Sequence, residues 1–147
     1  QALNVQTNEN VLEIGTGTGY STALLSQLAN HVTTVDIVPE LVEIAQQNLE
    51  KMGINNVTCC VGDASKGWLL AERIDVIIAT AAFEIIPDNY LQSLAVGGRM
   101  LAIVGKDNDM SVQIIRRVTE REWQTKAVFE TSVPAMLNAE LTPEFEF

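Results

Sequence analysis

The chain is poor in the residues that mark many common functions. Its 147 residues include one histidine, two cysteines, four prolines and two tryptophans. With His31 alone, at the head of a strand-like segment, a Ser/His/Asp catalytic set is not supported. Cys59 and Cys60 are adjacent, and neither has a Cys or His partner at metal-ligand spacing, so no metal is expected. Neighbouring cysteines point to opposite sides of a strand and rarely bridge. They read as reduced thiols in a buried strand of a cytoplasmic protein. Positive charge is scarce: nine Lys+Arg against nineteen Asp+Glu leave a net charge of −10. Such a surface repels phosphate backbones and argues against nucleic acid as a partner. No apolar run reaches the roughly 20 residues of a membrane span. The best candidate, Ile74 to Pro87, carries Asp75 and Glu84. No basic segment followed by an apolar stretch opens the chain, so no secretion signal is expected.

What is present is regular alternation. At 47% hydrophobic and 19% charged, the composition is that of one globular domain over residues 1–147. Asn10–Gly15, His31–Asp36, Asn56–Val61, Arg73–Thr80 and Arg99–Val104 read as strands. Tyr20–Asn30 reads as a helix presenting Leu24, Leu25 and Leu28, and Pro39–Met52 as one presenting Leu41, Val42, Ile44, Ala45 and Leu49. Pro39 and Glu40 suit a first turn, and Gly53 suits a stop. A short helix is expected at Asp88–Leu94, before Gly97-Gly98. Near the end, alternation at Val112–Val118 and Gln124–Val133 flanks a turn at Glu120–Trp123, an antiparallel hairpin. Repeated strand–helix units imply an α/β fold, a doubly wound and mostly parallel sheet of Rossmann-like type, with the hairpin as an antiparallel edge. Ligands in such sheets bind beyond the carboxyl ends of the strands, at the switch point.

The residues at those ends are informative. Gly15-Thr16-Gly17-Thr18-Gly19 follows a strand and opens a helix, preceded by Glu13. Glycines there let a ligand lie against the backbone, and the helix start offers free N–H groups. The dinucleotide fingerprint is G-x-G-x-x-G, whereas this loop is one residue tighter. A carboxylate beside it suits a cationic ligand with an amino group and no phosphate, such as S-adenosyl-L-methionine. Asp36, at the end of the second strand beside Ile37, is expected to accept from ribose hydroxyls. Gly62-Asp63-Ala64, after the third strand, is expected to meet the adenine edge. Asp63 also has the look of a turn aspartate.

Together these elements resemble the protein-L-isoaspartate O-methyltransferase family, within the S-adenosylmethionine-dependent methyltransferase fold. The resemblance runs from about Val11 to Val133. Its more particular pieces are Gly67-Trp68, Thr80-Ala81-Ala82 and Ile86-Pro87. It implies S-adenosyl-L-methionine as cofactor, bound by Glu13, Gly15, Thr16, Gly17, Gly19, Asp36, Ile37, Gly62, Asp63 and Ala64. It implies an acceptor carboxylate on an isoaspartyl peptide or protein, with Thr80 positioning it and Ala81, Ala82 and Pro134 against it. A carboxylate is already ionised at pH 7, so the transfer needs no general base. The family also carries a segment before the first strand, with a Thr-Ile-Ser-type motif. Gln1 begins just upstream of that strand, so the chain is expected to be a fragment. Competing readings are a methyltransferase with another small-molecule or protein acceptor, a non-catalytic binding module, and a nicotinamide oxidoreductase. The glycine spacing disfavours the last. Trp68 and Trp123 are expected to serve packing rather than substrate.

Overall fold

The structure, a computed structural model, describes residues 3–107 and 109–131. Strands and helices alternate as β1 (Asn10–Ile14), α1 (Tyr20–Leu28), β2 (His31–Asp36), α2 (Pro39–Lys51), β3 (Val57–Val61), β4 (Ile74–Phe83), α3 (Asp88–Ser93) and β5 (Leu94–Lys106), and β6 (Asp109–Thr119) and β7 (Glu122–Thr131) follow. They form one seven-stranded sheet in the order β3-β2-β1-β4-β5-β6-β7. The pairs from β3 through β5 are parallel, and β5–β6 and β6–β7 are antiparallel. The expected doubly wound sheet with a closing hairpin is therefore what the chain adopts. No described helix is long and apolar enough to cross a membrane.

The strand order explains the layers. From β1 the chain steps outward to β2 and β3, and from β4 it steps the other way to β5. Right-handed crossovers then put α1 and α2 on one face and α3 on the other. Alternate residues of the central strands feed the two faces. Leu12, Ile14, Ile77, Ala79, Met100 and Ala102 join Phe83, Tyr90 and Leu94 on the α3 side. Val11, Val32 and Val76 join Leu3 and Ala29 on the other. Phe83 and Tyr90 pack with tilted rings, centroids 5.9 Å apart.

Several local expectations are corrected. In α1 the inward residues are Thr22, Ala23 and Ser26, while Leu24 and Leu28 stand about half exposed. Of the three leucines expected inward only Leu25 packs on the core, because the face over the buried carboxylate holds its hydroxyl partners instead. In α2, Val42, Ala45 and Leu49 turn inward as expected, but Ile44 is exposed. Strand β3 is an edge strand, so Cys59 and Cys60 are half-buried free thiols rather than core residues. Burial pushes both thiols up, and the negative charges of Cys60 and Glu13 add to the shift at Cys59. Strand β4 runs on through Thr80-Ala81-Ala82, and β5 starts at Leu94, not Arg99. Trp123 lies in β7, not in the turn, and its ring stacks on Arg117 at 4.8 Å. That contact and the packing of Trp68 on the core give both tryptophans the structural role expected of them.

Candidate functional site

Strand β1 lies between β2 and β4, where the direction of winding reverses. The loop after β1, the end of β2 and the end of β4 meet at this switch point. Gly15 has φ +102°, and its N–H donates to Val35 O at 2.7 Å. A Cβ at Gly15 would sit 2.1 Å from Thr80 Oγ1, so only glycine fits there. That hydroxyl hydrogen-bonds Ile14 O at 3.1 Å and Gly15 O at 3.3 Å, tying β4 to the loop. Thr80 itself is exposed.

Its exposure comes from a bulge. Ile78 pairs with Leu101 and Ala82 with Ile103, so β4 carries two more residues than β5 between these pairs. A bulge of this kind re-aims side chains at a strand's end. Ala79 and Ala82 turn inward while Thr80 turns out. The Ala82 side chain, expected against an acceptor, is fully buried. Ala81 follows Thr80 in the strand. Pro134 lies outside the described residues.

Asp36 is half-buried, with one oxygen accepting from Gly17 N–H at 3.1 Å and the other from Val38 N–H at 3.0 Å. It thus ties the end of β2 to the loop, and each oxygen keeps lone-pair capacity for a ligand hydroxyl. A Cβ on Gly17 would meet nothing within 4 Å, so this part of the loop borders open space. Ile37 stands partly exposed beside Asp36. Asp63 accepts from Ser65 N–H at 2.9 Å, the turn role anticipated for it.

Three other assigned glycine or alanine positions also have packing roles. A Cβ on Gly19 would press on Ala45 of α2 at 3.1 Å, so this glycine brings α1 against α2. A Cβ on Gly62 would lie 2.6 Å from the Trp68 ring, which covers it. Ala64 is buried in the main core, and its carbonyl accepts from the Tyr90 hydroxyl. Burial, reinforced by the charge of Asp63, pushes that phenol up.

Glu13 departs furthest from expectation. It is fully buried, and three hydroxyls converge on it. Ser21 Oγ donates at 2.5 Å and Thr34 Oγ1 at 2.8 Å, and Thr22 Oγ1 donates as well. Its partners among the described residues are thus hydroxyls. Thr34 commits its single proton to Glu13, so the 2.7 Å contact with Thr16 Oγ1 has Thr16 as donor. Thr16, buried in the glycine loop, is linked to Glu13 through Thr34. Sequence reasoning missed Ser21, Thr22 and Thr34. Their signal was an unusual density of hydroxyls where apolar residues were expected. Among the described residues, no cluster of His, Cys, Asp or Glu has the makings of a metal site. Two clefts of about 620 and 600 Å³ lie at the other end of strands β4–β6, sharing Arg73 and Gln92. No expected site residue lines either of these two clefts.

Comparison with known proteins agrees with this arrangement. The family model for protein-L-isoaspartate(D-aspartate) O-methyltransferase matches residues 1–138. The chain is 44% identical over 120 residues to a protein-L-isoaspartate O-methyltransferase of Protochlamydia amoebophila, covering 82% of this chain and 57% of that one. It is 48% identical over 105 residues to the Myxococcus xanthus protein of the same name, covering 71% and 50%. A solved protein-L-isoaspartate O-methyltransferase superposes with a TM-score of 0.82 at 26% identity, over 91% of this chain and 44% of that one. The chain thus spans about half the length of the curated relatives it matches.

Proposed function

Because the chain belongs to the protein-L-isoaspartate(D-aspartate) O-methyltransferase family, we propose that it is the donor-binding portion of an S-adenosyl-L-methionine-dependent O-methyltransferase. Its acceptor is the carboxylate of L-isoaspartyl residues in damaged proteins or peptides, a repair function in the cytoplasm. The observation that carries this reading is the convergence of the Gly15–Gly19 loop, Asp36 and Thr80 at one switch point.

The residues present suit such a donor. The open side of Gly17 gives a ligand room against the backbone. Asp36 offers an acceptor for ribose hydroxyls, its carboxylate already oriented by two N–H donors. Asp63 is held by the Ser65 N–H in a turn at the end of β3, within the expected reach of the adenine edge. No phosphate-binding signature accompanies them, in keeping with a phosphate-free nucleoside. When bound, the donor supplies a sulfonium-activated methyl group.

The protein's part in the reaction is alignment. The acceptor carboxylate is ionised at neutral pH, so no side chain needs to remove a proton. Catalysis then rests on holding acceptor and methyl in line and on excluding water. Thr80 is the residue for positioning, because the bulge turns it outward at the loop. Nucleic acid is no partner in this reading, given the net charge of −10.

The test is incubation of the full-length polypeptide carrying this sequence with methyl-labelled S-adenosyl-L-methionine and an isoaspartyl peptide. A base-labile methyl ester is expected on that peptide and not on its normal-aspartyl twin. Equal labelling of both, or of neither, rejects the assignment. Transfer to a different acceptor would identify the alternative methyltransferase reading.

A further inference from the structure

The two clefts away from the switch point form one groove, because they share Arg73 and Gln92. One wall is the segment from Lys66 to Arg73, and the other is α3 with the β6–β7 turn. Four of the chain's nine Lys and Arg line it: Lys66, Arg73, Arg117 and Arg121. Only two acids do, Glu72 and Glu120, so the groove is cationic on a chain of net charge −10. Arg117 is committed to carbonyls and Arg73 to Glu120. Lys66 and Arg121 are exposed, and among the described residues neither side chain has a hydrogen-bond or ion-pair partner. The exposed Gln92 amide has none either. Leu69 is 96% exposed, the most exposed of the large apolar side chains described. A lone exposed leucine is ordinary; this one lines a groove that also holds two unpaired cations and a free amide.

We propose that this groove docks an extended acidic segment of the polypeptide substrate, with one carboxylate at Lys66, another at Arg121 and an apolar side chain on Leu69. The role with substrate rests on the functional reading above; the docking itself follows from the groove. The acidic remainder of the surface repels such a segment, so the cationic groove is where it is drawn. Lys66 and Arg73 are seven residues apart, a reach of at most about 25 Å, so a segment of about eight residues fits. The Gln92 amide can both donate to and accept from a peptide backbone. A nucleic acid suits the groove less, because its charge recurs at every phosphate while Glu72 and Glu120 stand among the cations. The groove also adjoins the proposed donor site. Lys66 lies three residues beyond Asp63, and Trp68, which lines the groove, covers Gly62. Holding a substrate there raises the effective concentration of its acceptor carboxylate and lowers KM. It leaves kcat unchanged, since no expected site residue lines the groove.

The experiment uses the full-length polypeptide and a fluorescein-labelled probe, Glu-Glu-Gly-Leu-Leu-Gly-Glu-Glu, with a control in which every Glu is Gln. By anisotropy at low ionic strength, the acidic probe is expected to bind at least about tenfold tighter than the control, and added salt to narrow the difference. Lys66→Glu combined with Arg121→Glu should weaken the probe at least about tenfold. Leu69→Ser should weaken it about threefold, and Glu120→Gln, which frees Arg73, should tighten it about threefold. All four side chains are exposed, so the variants keep the fold. An isoaspartyl peptide extended by the acidic segment should show a KM at least about fivefold below that of the unextended peptide, at equal kcat. The double charge reversal should remove that advantage and leave turnover of the unextended peptide unchanged. Equal binding of probe and control, or a double variant that binds as the wild type does, overturns the docking. Probe binding with no effect on KM overturns its role with substrate. Self-association that the double variant abolishes, with no probe binding, overturns the inference in favour of a second copy. Probe binding without methyl transfer to any isoaspartyl peptide overturns instead the functional reading.

Discussion

Glu13 and Arg117 are both buried charges, and the molecule treats them in opposite ways. At the β6–β7 end, the Arg117 guanidinium donates to four carbonyls: Gln92 at 3.1 Å, Leu94 at 2.7 Å, Thr119 at 3.3 Å and Glu120 at 2.5 Å. It also lies over the Trp123 ring, and the Glu120 carboxylate is 3.9 Å away. Arg99 repeats the pattern near the chain's start. It donates to Leu3 O and Asn4 O and forms a two-pronged pair with Glu9. These cations hold irregular segments in place by satisfying carbonyls that no strand partner would reach. At the β1–β2 end, Glu13 has only hydroxyls. One end neutralises its charge and becomes scaffold. The other surrounds a buried carboxylate, among the described residues, with hydroxyls alone, beside the loop where the donor is proposed to bind.

The largest break in this contrast should come at Gly15. Gly15→Ala forces a Cβ into Thr80 Oγ1 at a φ that alanine resists. A stability loss of about 3 kcal/mol is expected, with loss of S-adenosyl-L-homocysteine binding beyond about 100-fold. Thermal melts and calorimetry check both. If binding survives, the loop is not the ligand site. Next comes the scaffold end. Arg117→Met strands several buried carbonyls and should cost about 2–4 kcal/mol in a denaturant titration. Binding of S-adenosyl-L-homocysteine should change little once the variant is folded, because no loop residue touches Arg117.

Glu9 gives a smaller and pH-dependent effect. The Arg99 hydrogen bonds hold its carboxyl below the ordinary value of 4.5, outweighing the opposing effect of burial. A folded-state value below the unfolded one means that the stabilisation is present above about pH 4.5 and is lost as pH falls through the folded value. Glu9→Gln should cost about 1–2 kcal/mol at pH 7, with the gap to wild type closing below pH 4.5. A gap that stays constant to pH 3 would show that the charge contributes nothing. The smallest effect belongs to the bidentate Arg73–Glu120 pair, whose side chains are 49% and 61% exposed. Glu120→Gln should barely move the melting temperature, and 1 M salt should erase even that.

How much of this was readable in advance depended on the kind of signal. The alternation of strands and helices was legible because buried strands and a glycine-punctuated loop are patterns of neighbouring residues. Asp36 was legible for the same reason, since it ends a β-branched run. The inward face of α1 was not, because Leu24 and Leu28 looked like core and Thr22 and Ser26 did not. That preference is decided by Glu13 across the chain, which no helical periodicity reveals. The packing that requires glycine at Gly62 and Gly19, against Trp68 and Ala45, was not legible either, because those partners lie elsewhere in the chain.

By itself the sequence determined the sheet, its hairpin edge and the location of the loop, because these follow from local periodicity and turn chemistry, and its particular motifs carried the resemblance to the family. Only the tertiary structure decided what each loop residue does. Whether a side chain meets solvent, a ring or a buried hydroxyl depends on residues far apart in the chain, as Thr80 over Gly15 and Thr34 against Glu13 demonstrate.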